Sequence, residues 1–253
     1  MKAIILAAGK GTRISDEIGP IPKSTLEIGG KPIIRRTVEL LQQYQIKVAV
    51  CTGYRRRKIE EALEGLKVSY FNNPFYDVTN NIASLWFAQD FLKGDDCLVL
   101  SADVIFDRDL LEKLMQMEGD LIMVTDSSRV ADGDYFFHMA EDGTIDEYGP
   151  DIPMERRDYE YVGIDKISKG SIDSFKDTLL TMIEEGKTQG YFEYVFFYYI
   201  GHPYIRLTTL DISGCVWREV DCIDDYNKAV KELCRNAQGD GVQTANKEEK
   251  CGE

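Results

Sequence analysis

Glycines and cations are concentrated near the start of the chain. Leu6-Ala7-Ala8-Gly9-Lys10-Gly11-Thr12-Arg13 is followed, one loop later, by Pro22-Lys23-Ser24-Thr25-Leu26. Small residues directly after an apolar run let a ligand approach the backbone closely. Consecutive amides in such a turn form an anion nest. Arg13 and Lys23 add the positive charge that a triphosphate and a departing pyrophosphate require. Neither GxxxxGK[ST] nor GxGxxG is present, so this is not a Walker loop or a dinucleotide fingerprint. The plainer alternative is a tight turn carrying solvent-facing basic residues.

Acids that could hold a cation lie far away in sequence. Val99-Leu100-Ser101-Ala102-Asp103 is an apolar run ending in a carboxylate, and Mg²⁺ commonly takes one or two carboxylates together with phosphate oxygens. Asp103 could instead cap a turn. Glu219-Val220-Asp221-Cys222-Ile223-Asp224-Asp225-Tyr226 offers a second acid. Asp221 is preferred because it ends a strand, whereas Asp224 and Asp225 suit the first turn of a helix. The expected metal pair is therefore Asp103 and Asp221.

Two further stretches carry recognition chemistry. Asn72-Asn73-Pro74-Phe75-Tyr76-Asp77-Val78-Thr79-Asn80-Asn81-Ile82-Ala83-Ser84-Leu85-Trp86 has more amides than a connector needs, although Asn80 alone would serve as a helix cap. Asn80 and Ser84 are candidates for reading a base edge. In the second half, Tyr191, Glu193 and Trp217 combine aromatic faces with a carboxylate, the chemistry that binds an amine cation. Core packing is the competing role for the aromatic residues of this stretch.

Strands and helices must position these groups. Lys2–Ala8, Lys47–Gly53, Val68–Phe71, Cys97–Ser101 and Asp120–Thr125 read as buried strands. They alternate with helices over Pro32–Tyr44, Arg56–Leu66, Asn81–Leu92 and Asp107–Met117, the pattern of right-handed βαβ units in a mostly parallel sheet. Ligands of such sheets bind at the carboxyl ends of the strands, where the glycine-rich loop and Asp103 fall. From about Asp134 the pattern changes. A hairpin is expected around Glu141-Asp142-Gly143 and a strand over Tyr161–Ile167. Helices follow over Ile172–Glu185 and Tyr191–Tyr199, then strands over Ile205–Leu210 and Cys215–Val220 either side of Ile212-Ser213-Gly214. Ile223–Arg235 reads as a last helix. Asn236–Glu253 has almost nothing to bury and reads as a disordered tail. The expected organisation is one α/β domain over residues 1–235, with a small α+β acceptor-binding lobe at about 134–210.

Composition sets the outer limits. The 253 residues are 43% hydrophobic and 29% charged, with a formal net charge of −14. That charge repels nucleic acid and anionic membrane. No apolar run approaches the roughly 18 residues of a membrane span. The six cysteines form no CxxC pair and the two histidines lie far apart, so a zinc site is not expected. A reducing cytoplasm is the simplest compartment. The sequence leaves the oligomeric state open, a homodimer among the options.

The loop from Gly9 to Lys23, with Gly30-Lys31-Pro32 beyond it, resembles the nucleotide-binding signature of the sugar-phosphate nucleotidyltransferase superfamily. Thr79-Asn80-Asn81-Ile82 with Ser84-Leu85-Trp86 looks like its CTP-using branch, which contains phosphocholine and aminoalkylphosphonate cytidylyltransferases. The resemblance implies a Rossmann-like sheet flanked by helices, of the nucleotide-diphospho-sugar transferase type. It implies that Ala7, Ala8 and Gly9 meet the base and ribose, with Leu6 and Ala102 among the nucleotide contacts. Gly11, Thr12 and Arg13 would wrap the phosphates, and Lys23 would hold the α-phosphate. The "DDY"-like helix start also supports Asp221 as a Mg²⁺ ligand. Gly163 and Lys166, in Gly163-Ile164-Asp165-Lys166, would lie near the acceptor phosphate. The implied reaction joins CTP to a small phosphorylated or phosphonate amine, phosphocholine ahead of 2-aminoethylphosphonate. A hexose-1-phosphate nucleotidyltransferase and a catalytically silent nucleotide-binding protein are the alternatives.

Overall fold

The computed structural model describes residues 1–11, 14, 19–131 and 133–231. Thr12, Arg13 and the expected tail 236–253 lie outside them. The described chain forms β1 (Lys2–Ala7), α1 (Ile33–Gln43), β2 (Lys47–Thr52), α2 (Arg56–Ala62), β3 (Val68–Asn72), α3 (Asn81–Phe87), β4 (Cys97–Ser101), β5 (Val104–Phe106), α4 (Arg108–Gln116) and β6 (Leu121–Asp126). It continues with β7 (Phe136–Met139), β8 (Ile145–Gly149), β9 (Tyr159–Ile167), α5 (Ile172–Glu184), α6 (Glu193–Phe197), β10 (Leu207–Asp211), β11 (Trp217–Glu219) and α7 over residues 223–231.

The main sheet runs β8-β7-β9-β4-β1-β2-β3, with β6 on the other edge of β9 and β10 beside β6. Strands β4, β1, β2 and β3 are mutually parallel, and β10 is parallel to β6. Antiparallel β9 joins the two parallel groups. This is the mostly parallel sheet that the βαβ pattern predicts. The hairpin around Glu141-Asp142-Gly143 is also present, as antiparallel β7 and β8.

The near-continuous apolar strands are buried on both faces. Ala3, Ile5 and Ala7 pack with Val38 and Leu41 of α1 and Leu110 and Leu114 of α4. Ile4 and Leu6 point to the opposite layer, with Ile82 and Leu85 of α3, Phe175 of α5 and Phe196 of α6. The period-two alternation of the strands thus meets the helical period of both flanking layers.

Two departures from sequence expectation shape the site. The strands either side of Ile212-Ser213-Gly214 do not pair with each other. β10 extends the main sheet, while β11 leaves it and pairs antiparallel with β5, a strand too short to stand out in sequence. Asp107 fixes this junction. Its Oδ1 caps α4 by accepting from Leu110 N at 2.9 Å, and its Oδ2 accepts from Val216 N at 3.0 Å. Asp107→Ala therefore removes both a helix cap and a tether of β11. It should lower the unfolding free energy by about 2 kcal/mol, twice an ordinary cap loss, as measured by urea denaturation.

Candidate active site

The carboxyl ends of β1 and β4 and the β5–β11 ladder bring the sequence's scattered chemistry to one place. Glu219 stands opposite Val104 in that ladder, and Val220 N donates to the Asp103 carbonyl at 3.1 Å. One carboxylate oxygen each from Asp103, Glu219 and Asp221 thereby falls within 4.8 Å of the others. Lys23 enters from the short 3₁₀ turn Lys23–Thr25, behind Pro22. Its ammonium pairs with Asp103 Oδ2 at 2.5 Å and with Asp221 Oδ1. Gly11 faces it with φ +62, and a Cβ there would lie 3.0 Å from Lys23 Cβ. Only glycine both adopts that backbone and leaves the lysine room.

Burial opposes the Lys23 charge, but Asp103 and Asp221 outweigh it and hold its pKa above the ordinary lysine value. Burial, reinforced by Asp103 and Asp221, pushes Glu219 well above the usual carboxylate range. Asp103 Oδ1 is buried with no hydrogen-bond partner among the described residues. Clustered hard oxygen donors, one of them without a partner among the described residues, fit a divalent cation such as Mg²⁺.

Two pockets meet at this cluster. The smaller, about 180 Å³, is bounded by Leu6, Ala8, Gly9, Asn80, Ser84 and Ala102, with Asn73, Asn81 and Asp103 also on its wall. Asn73 organises it from within the protein. Its Oδ1 accepts from Phe75 N at 2.9 Å, so its Nδ2 is the donor to Thr79 Oγ1 at 3.0 Å and to Ser84 Oγ at 3.1 Å. Asn80 does cap α3, accepting from Asn81 N at 2.8 Å, and still lines the pocket. Ala7 is buried at the end of β1.

The larger cavity, about 670 Å³, shares Ser101 with the first. Tyr135, Tyr148, Tyr161, Tyr191 and Tyr194 supply its aromatic wall, and Asp134, Glu193, Glu219 and Asp221 its acids. Gly163 lies on its floor at φ +81, a bulge in β9 where a Cβ would come 3.3 Å from Ser101 Oγ. Tyr161 donates its hydroxyl to buried Asp165 at 2.6 Å, so its ring is what it offers the cavity. Glu193 Oε2 is buried without a hydrogen-bond partner among the described residues. Burial, with a smaller push from Asp103, raises the Glu193 carboxyl to about 7.

Two expected acceptor residues lie elsewhere. Lys166 is buried, and its ammonium donates to the Met117 carbonyl at 2.7 Å and reaches those of Leu114 and Met115. It closes the C-terminal end of α4, where no glycine cap exists, because alternation along β9 turns it away from the cavity. Trp217 is buried in the core, its Nε1 donating to Asp126 at 2.7 Å and its ring covered by Arg129 at 4.3 Å. Its chemistry is spent on holding β11. Glu219, two residues before Asp221, was not singled out from the sequence. Period-two spacing from Asp221 is the signal that points to it.

Residues 3–203 match the model of the family described as the MobA-like NTP transferase domain. The chain belongs to this family. This NTP transferase is 38% identical over 111 residues to the choline-phosphate cytidylyltransferase of Haemophilus influenzae, covering 44% of this chain and 47% of that one. It is 27% identical over 242 residues to the CMP-5′-(3-aminopropyl)phosphonate synthase of Streptomyces rubellomurinus, covering 90% of this chain and 38% of that one. The chain thus spans about half the length, or less, of the curated relatives it matches. Its fold is that of the CTP:phosphocholine cytidylyltransferase from Streptococcus pneumoniae, with a TM-score of 0.72 at 20% identity over 92% of this chain and 98% of that one. Among the described residues, no helix is long and apolar enough to cross a membrane.

The raised Glu193 carboxyl makes a signed statement about stability. Its folded pKa lies above the unfolded value, so the folded state binds the extra proton between about pH 4.5 and 7. Stability from this group is then lost as pH rises through that window. Glu193→Gln should raise Tm at pH 8, by about 2 °C or more, and leave it unchanged at pH 4. Thermal melts at the two pH values check this.

Proposed function

We propose that this NTP transferase is a cytidylyltransferase that joins CTP to a small amine-bearing phosphate or phosphonate. The observation that carries the reading is the pair of pockets. One is small and lined by amides and hydroxyls, the other aromatic and acidic, and they meet beside Lys23, Asp103 and Asp221.

The small pocket suits the base. Because Ser84 Oγ accepts from Asn73, its own proton is what it presents to a ligand. Cytosine offers ring-edge acceptors at O2 and N3, whereas uracil carries a hydrogen at N3 and would leave a donor facing a donor. Buried unpaired polar groups discriminate strongly. Ala7, Ala8 and Gly9 give the nucleoside close access to backbone, while Gly11, with Thr12 and Arg13 by family resemblance, is assigned to the phosphates.

In the reaction, an oxygen of the acceptor phosphate or phosphonate attacks the α-phosphorus of CTP in line. The α–β bridging bond breaks, pyrophosphate leaves, and a CDP-alcohol or CMP-phosphonate forms. The acceptor oxygen is already ionised, so no general base and no covalent enzyme intermediate is needed. Lys23 keeps its charge through the working pH range and donates to an α-phosphate oxygen as charge develops. Asp103, Asp221 and Glu219 would hold Mg²⁺, which when bound neutralises the α-phosphate and the departing pyrophosphate. The remaining task is positioning, which the two adjoining pockets perform.

The larger cavity suits the acceptor's amine. Tyrosine faces attract a cation, and Glu193, with an oxygen that has no partner among the described residues, supplies the opposite charge. Phosphocholine ranks ahead of 2-aminoethylphosphonate as acceptor. Lys166 and Trp217 take no part.

A nucleotide-by-acceptor matrix tests the reading. Four NTPs, each with Mg²⁺, are combined with phosphocholine, phosphoethanolamine, 2-aminoethylphosphonate and glucose-1-phosphate, and pyrophosphate release is followed. CTP with an amine-bearing acceptor should react; turnover only with glucose-1-phosphate would refute the acceptor class. Asp103→Asn and Asp221→Asn should each lower kcat by roughly 100-fold or more. Glu193→Gln should raise the acceptor's KM by about tenfold with little change in the KM for CTP.

A further inference from the structure

The side chain of Asn81 links the wall of the small pocket to that of the larger cavity. Asn81 opens α3 and lines the small pocket. Its Oδ1 accepts from Phe192 N at 2.7 Å. Phe192 stands between Tyr191 and Glu193, both on the wall of the larger cavity. A second bond runs beside it, from Asn80 N to the Thr188 carbonyl at 2.9 Å. The Phe192 ring is fully buried in the same apolar layer as Ile82 and Leu85 of α3. The segment that carries Tyr191 and Glu193 therefore has its central residue pinned, by both ring and amide, to the helix that begins in the nucleotide pocket.

The chemistry of the amide makes this linkage directional. A backbone N–H can only donate, so the oxygen of Asn81 faces Phe192 and the NH₂ is left for other partners. Among the described residues that NH₂ makes no hydrogen bond. With its oxygen engaged, the group Asn81 has left to offer a ligand of the small pocket is a donor, of the same polarity as the Ser84 hydroxyl.

We propose that Asn81 is a positioning residue that couples the two pockets: its NH₂ engages the bound nucleotide while its oxygen holds the Phe192 amide, so that nucleotide binding steadies the Tyr191–Glu193 wall before the acceptor arrives. The inference rests on the assignment of the small pocket to CTP. A coupling free energy is reciprocal, so an acceptor in the large cavity also tightens the nucleotide.

Two variants separate the two halves of the side chain. Asn81→Asp keeps an oxygen for Phe192 N and loses the donor. Asn81→Ala loses both. Amide hydrogen exchange is followed in the full chain, with and without Mg²⁺ and the α,β-methylene analogue of CTP. In the unsubstituted protein the analogue should slow exchange in residues 73–84 and also in 188–197, the latter by about five- to tenfold, the scale of one hydrogen bond. In Asn81→Ala, segment 188–197 should exchange faster at rest by a similar factor and no longer respond to saturating analogue. In Asn81→Asp, resting exchange of 188–197 should match the unsubstituted protein, while the analogue binds about tenfold more weakly. A purely structural role would not separate the variants in this way. Protection of 73–84 without any change in 188–197 in the unsubstituted protein overturns the coupling. So does an Asn81→Ala protein that still responds in 188–197. No protection in either segment overturns the CTP assignment and, with it, the coupling that rests on it.

Discussion

Three carboxylates held within 4.8 Å of one another, with one ammonium among them, are the constraint on which the rest depends. Like charges so close repel strongly, and burial deepens the cost because the medium screens them less. The backbone must therefore be held by something independent of the acids. The β5–β11 ladder does this with main-chain bonds, and Asp107 ties the approach to β11 to the cap of α4. Arg129 adds a side-chain brace. It lies over the Trp217 ring, donates to the Trp217 carbonyl at 3.1 Å and pairs with Glu160 of β9 at 3.1 Å. The strand that carries Glu219 is so clamped to the strand that floors the large cavity.

The same logic explains why aromatic residues cluster where they do. The second apolar layer is rich in phenylalanine because α5 and α6 must cover one face of the sheet with few residues. Phe192 and Phe196 are fully buried there. Tyr194 falls on the other side of the short helix and Tyr191 precedes it; both are half-exposed and line the cavity. A single segment thus serves both as core and as ligand wall, with the division set by helical phase.

Much of this was legible beforehand. Continuous apolar runs separated by amphipathic segments gave the parallel sheet, because a strand buried on two faces leaves that signature. The glycine-rich loop, Asp103 and Asp221 could be named because they follow strand ends, where open α/β sheets bind ligands, and Lys23 because it is a cation one loop beyond those glycines. What was not legible depended on contacts between distant segments. Val104–Phe106 is β-prone but only three residues long; its partner lies at Trp217–Glu219, and with that pairing hidden only the two-residue spacing from Asp221 pointed to Glu219. Lys166 and Trp217 illustrate the opposite error. Both residue types suit an acceptor site, but side-chain direction in a bulged strand and the reach of Arg129 decide their place, and neither is written in residue type. Asn81 was hidden in plain view within an amide-rich run, since its partner is a backbone N–H 111 residues away.

The acidic wall of the large cavity has a consequence for what the site turns away. Inorganic phosphate also carries an ionised oxygen able to attack an activated nucleotide, and it needs no recognition beyond charge. Here Asp134, Glu193, Glu219 and Asp221 all lie on the cavity wall, so an anion bringing no cation of its own meets an acidic lining. A zwitterion brings the compensating charge with it. On the proposed reading, the cavity works as an electrostatic sieve that guards the nucleotide against wasteful phosphorolysis, using the same groups that would welcome the amine.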